Sequence, residues 1–151
     1  MNSARRPAPD LSDLTCRYFL YRPGMVGLDV LVVAIEGTCR TGAKGDSDAA
    51  FMTAEILRGL TAFDPKALLL DLRGLDCCPG DALAHICQVV SKARPVEGGI
   101  AFPVLAVTPK TCREAVPAGF VQSDAGADEH YRDFEPALAA AVSAGQRRLR
   151  T

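Results

Sequence analysis

The residues best placed for chemistry cluster in "LLLDLRGLDCCPGDAL", residues 68–83. An apolar run carries Asp71, a turn holds the adjacent cysteines Cys77 and Cys78, and Pro79-Gly80-Asp81 opens what reads as a helix. A thiol becomes a nucleophile only when a base, a cation or a helix start lowers its pKa. Neither His85 nor His130 is placed by the sequence to do this. The cysteines therefore read as small buried hydrophobes rather than catalytic groups. Asp71 stands near the C-terminal end of its strand, the rim where open α/β sheets hold ligands. Its expected task there is to organise the following loop by accepting backbone N–H bonds. Asp81 reads as an N-cap, with Gly80 allowing a tight entry.

Three other constellations fall short of a site. "GTCRTGAKGDS", residues 37–47, approaches a phosphate-binding P-loop. Ala43 separates Gly42 from Lys44, and Gly45 replaces the hydroxyl that would hold magnesium, so a surface loop is expected. The six cysteines include no C-x-x-C pair, and the two histidines lie far apart, so no metal or other cofactor is assigned. Ser91, Ser123 and Ser143 lack the glycine elbow of a serine nucleophile. No catalytic residue is assigned.

The elements that must position these residues follow from hydropathy. Leu14, Cys16, Tyr18 and Leu20 alternate as in a half-buried strand, and after "RPGMVG" a continuous apolar run covers 28–36. The short turn predicts an antiparallel hairpin. A helix is expected from about Asp48, capped by Asp46, Ser47 or Asp48, to Phe63, with Met52, Ile56, Leu60 and Phe63 as its stripe. Asp64-Pro65 ends it. A buried strand at 67–74, a helix at 81–93 and a strand at 101–108 follow. Pro109 opens a short helix, and a last helix over 135–148 buries Leu138, Val142 and Leu149. The expected fold is a single α/β domain over 13–151, behind a lead-in at 1–12. Its mostly parallel sheet begins with the antiparallel hairpin and carries packed helices.

Composition narrows the partner. A net charge of -1 supplies no field for phosphates, so no nucleic acid is expected. No segment has the ~18 apolar residues of a membrane span, and no secretory h-region precedes residue 14, so the expectation is a cytoplasmic protein with reduced thiols. A homo-oligomer is compatible with this composition.

The order of elements resembles the STAS domain, the fold of anti-sigma-factor antagonists. "VLVVAIEG" is similar to that family's second strand, "ALLLDLRGLDCCPGDAL" to its strand, regulatory loop and helix, and "VLAVTPKTCREAVPAGF" with "FEPALAAAV" to its later elements. The resemblance implies a module that works through protein contacts. The family's Asp-Ser pair falls on Pro79 and Gly80, so the phosphorylatable hydroxyl is missing; the family's next glycine falls on Ala82 and its leucine is kept at Leu83. The expected partner-binding surface comprises Asp76, Gly80, Asp81, His85 and Gln88. Two alternatives stand beside it: a shortened crotonase- or Clp-protease-like domain acting on an acyl-thioester, and an immunity-type protein that neutralises one bacterial partner.

Overall fold

A computed structural model describes residues 14–24, 27–38, 42–75, 80–96, 99, 101–107, 130–131 and 134–149. Five strands form one sheet: β1 (Thr15–Tyr21), β2 (Val30–Gly37), β3 (Ala67–Leu75), β4 (Val104–Val107) and β5 (His130–Tyr131). They lie side by side in chain order. β1 pairs antiparallel with β2, and every later pairing is parallel. The α/β class and the opening hairpin agree with the expectation.

Helix α1 (Gly42–Phe63) packs against β1 and β2 and touches α2 (Gly80–Ala93), while α3 (Phe134–Leu149) lies along β3 and β4. The faces can be told apart by close approaches. A Cβ on Gly59 of α1 would meet Leu31 and Tyr18, whereas one on Gly145 of α3 would meet Leu28 and Ala67. Neighbouring residues of a strand point to opposite faces. Leu31, Leu68 and Leu70 thus look toward α1, and Val30, Leu69 and Asp71 look toward α3. Both faces of β2 and β3 are buried, which accounts for their unbroken apolar runs.

Several expectations need correction. Helix α1 begins at Gly42, so Asp46, Ser47 and Asp48 stand inside it and not at its start. The second half of the expected loop at 37–47 is therefore helical, and Asp48 is fully buried. Met52, Ile56 and Leu60 form the inner stripe, but Phe63 is exposed at the helix end, its ring tilted by 59° against that of Tyr18 with centroids 6.0 Å apart. Asp64 then takes φ 46°, a left-handed C-terminal residue whose N–H bonds the Leu60 carbonyl. Strand β4 spans only Val104–Val107 of the expected 101–108. Pro103, with no N–H, precedes it, yet its carbonyl accepts from the Leu68 N–H at 2.9 Å. The short helix expected from Pro109 lies outside the described residues.

Helix α3 also differs. Its buried face is Ala137, Ala141 and Ala144 with Gly145, while Leu138 and Val142 are half-buried; the side chain of Leu149 lies outside the described residues. Small residues let the helix sit close to the sheet, and the larger ones flank the contact. A Cβ at Gly145 would stand 2.7 Å from Cδ1 of Leu28, itself fully buried. Gly145→Val should therefore cost about 2 kcal/mol through overpacking. Chemical denaturation checks this; an unchanged midpoint would mean that α3 stands farther from Leu28.

Arg94 joins the two helices on the α1 face. Its guanidinium donates to the carbonyls of Leu60 at 2.9 Å and Ala93 at 3.1 Å, at the C-terminal ends of α1 and α2. A cation there also suits both helix dipoles.

Candidate functional site

Strand β3 leaves the sheet through an irregularity. Ala34 of β2 faces Asp71, but Glu36 faces Gly74, so β3 carries one residue more than β2 over this stretch. Such a bulge re-aims the side chains around it. Gly74 has reason to be glycine, because a Cβ there would stand 2.6 Å from Cγ of Glu36. Beside the bulge the Arg73 guanidinium grips Asp71 with both arms: Nε donates to Oδ1 and a terminal nitrogen to Oδ2, each at 2.8 Å. The Arg73 backbone N–H adds a third bond to Oδ1 at 3.2 Å. The same guanidinium lies 5.1 Å from the ring centroid of Phe134, at the start of α3. Asp71 thus binds a backbone amide of its own strand end. An ion pair of this geometry is more rigid than a single contact, because two parallel bonds fix the planar group.

Helix α2 stands on the opposite face. It begins at Gly80, one residue before the expected start, so Asp81 occupies the first turn rather than the cap position. Ile86 and Val90 are buried, Cys87 is half-buried, and His85 and Gln88 are exposed on one outward stripe. Burial raises the Cys87 thiol above its ordinary 9.0, which keeps it protonated and poor as a nucleophile.

Among the expected contacts, His85 and Gln88 share a surface. Gly80 and Asp81 belong to the same helix start, and Asp76 lies outside the described residues together with Cys77, Cys78 and Pro79. Asp71 is separated from His85 by the sheet itself. Sequence reasoning missed Arg73 and Phe134. The first was detectable, since Asp71 and Arg73 stand two apart on a strand; the second depends on how α3 returns to the β3 rim. No group of three or more potential metal ligands occurs among the described residues, and no described helix is long and apolar enough to cross a membrane.

No protein-family model matches the chain, and no curated protein sequence does. Solved structures similar to it include the following two. One is an anti-sigma factor antagonist from Mycobacterium paratuberculosis, 17% identical, with a TM-score of 0.48 over 89% of this chain and 97% of that one. The other is a variant of RsbS from Moorella thermoacetica, 15% identical, with the same TM-score over 89% of this chain and 99% of that one. The first bears the name of the family that the sequence resembles.

Proposed function

We propose that the chain is a STAS-like recognition module that regulates one cognate protein without serine phosphorylation. The observation that carries this reading is the mounting of α2. Its inner residues Ile86 and Val90 are buried, and Arg94, next after the helix, donates to the main chain of α1, so the stripe carrying His85 and Gln88 is held on a fixed support. A contact surface that is already ordered loses little conformational entropy on binding. In the sequence the STAS family's Asp-Ser pair falls on Pro79 and Gly80, neither of which has a hydroxyl to accept a phosphoryl group. Regulation at this place then depends on the partner's affinity or abundance and not on a kinase acting at the helix start.

The test is capture from native lysate with wild type and with the His85→Arg, Gln88→Arg double variant as baits. Both residues are exposed, so melting should be unchanged within about 0.5 kcal/mol. A stoichiometric protein held by wild type should fall at least about tenfold with the variant. Equal capture by both baits would overturn the α2 surface.

A further inference from the structure

Among the described strands, β1 has one partnered edge and one open one. No described strand pairs with its outer side, and its pairing with β2 runs through all seven residues without a register shift. An open edge presents N–H and C=O groups that template another strand, and proteins usually blunt it with proline, lysine, a bulge or a short length. The stretch "TCRYFLY" has no proline, lysine or glycine, and two of its aromatic residues are exposed, Phe19 at 51% and Tyr21 at 41%. Arg17 is its one charge, already bonded to Glu36 at 2.7 Å.

We propose that this edge pairs with the same edge of a second copy, antiparallel about Tyr18, and joins two sheets into one. Tyr18 is the midpoint of the strand, so this centre alone aligns all seven residues of each copy. It sets Arg17 opposite the partner copy's Phe19, a cation facing an aromatic ring as it already does within one chain at 5.8 Å. Thr15 falls opposite Tyr21, and Cys16 opposite Leu20. No like charges meet directly, and each guanidinium brings its own Glu36 carboxylate. A centre at Arg17 would instead oppose two guanidinium groups. Residues 1–13 of the same chain are a poorer occupant, because Pro7 and Pro9 have no N–H to donate to a ladder. This association uses the β1 edge and is independent of the α2 reading.

The test is sedimentation velocity of the full chain over a concentration series, with two charge variants of one position. Phe19→Arg opposes an arginine to Arg17 and should weaken the dimer by about tenfold or more, since the pair occurs twice in a two-fold assembly. Phe19→Glu removes the same ring but opposes a carboxylate to Arg17, and should keep the dimer. Dimerisation lost in the first and kept in the second supports the proposal. A monomer throughout, or a dimer that both variants keep or both lose, overturns it. So does a monomer whose β1 amides resist hydrogen exchange, which would give the edge to residues 1–13.

Discussion

Leu69→Ala should lower the unfolding free energy by about 3 kcal/mol and the melting temperature by about 10 °C. Leu69 is fully inaccessible to solvent and pairs with Val32 on one side and Leu105 on the other. It projects toward α3, whose facing side is a row of alanines. Short side chains cannot swing in to fill the space, and a helix already close to the sheet has little room to settle further. The substitution therefore leaves a cavity in addition to losing the transfer energy of the missing carbons. Val96→Ala, at a side chain 63% exposed, is the control and should stay within about 0.5 kcal/mol. Urea denaturation of the two variants decides the matter. A loss below about 1 kcal/mol for Leu69→Ala would show that α3 can close onto the strand.

At pH 8 the Cys16 thiol should alkylate about a hundredfold more slowly than an unperturbed cysteine. Its pKa is raised from 9.0 to about 11, chiefly by burial and secondarily by the nearby Glu55 carboxylate; the Tyr18 hydroxyl and Arg58 oppose this. Only the thiolate reacts, and so high a pKa leaves about one hundredth of the usual thiolate at this pH. Tyr18 belongs to the same cluster, its hydroxyl oxygen lying 2.6 Å from the Glu55 carbonyl and 2.8 Å from Oε1. Burial and the bond to Glu55 raise that phenol far above its ordinary 10.0. Linkage fixes the sign: the folded state holds the Cys16 proton more tightly than the unfolded state does. The stability from this site is intact below pH 9 and is lost as pH rises from 9.0 to about 11. Site-resolved mass spectrometry of iodoacetamide adducts measures the rate. Glu55→Gln should restore only the smaller part of the reactivity, because burial is the larger cause. A Cys16 as reactive as a denatured control would contradict the packing of β1 on α1.

The fold was legible because its strongest signals are periodic. Alternation marked β1, the unbroken apolar runs marked β2 and β3, and the spacing of Met52, Ile56 and Leu60 marked α1. What escaped notice depended on context. The start of α1 was hidden because Gly42-Ala43-Lys44-Gly45 reads locally as a turn, and helical geometry there is a tertiary outcome that overrides weak propensity. The face of α3 was misjudged because hydropathy favours Leu138 and Val142 over alanine. Close approach rewards the smallest side chain, and no one-dimensional pattern records the distance between a helix and its sheet. Within the candidate site, His85 and Gln88 were readable as the polar stripe opposite Ile86 and Val90. The Arg73–Phe134 contact joins residues 61 positions apart and had no local trace.

The side-by-side placement of strands in chain order bears on how the molecule is made. Each strand is the spatial neighbour of the one synthesised just before it. Nothing must be left open for a later segment to insert, and no connection has to cross another. Assembly can proceed in one direction as the chain leaves the ribosome, with β1 and β2 as the seed and each new strand sealing the edge left by the last. The parallel pairings are still non-local, as Val30 with Ala67 is, but each joins strands consecutive in the chain. The growing side of the sheet is sealed step by step, while no later strand among those described covers the starting side.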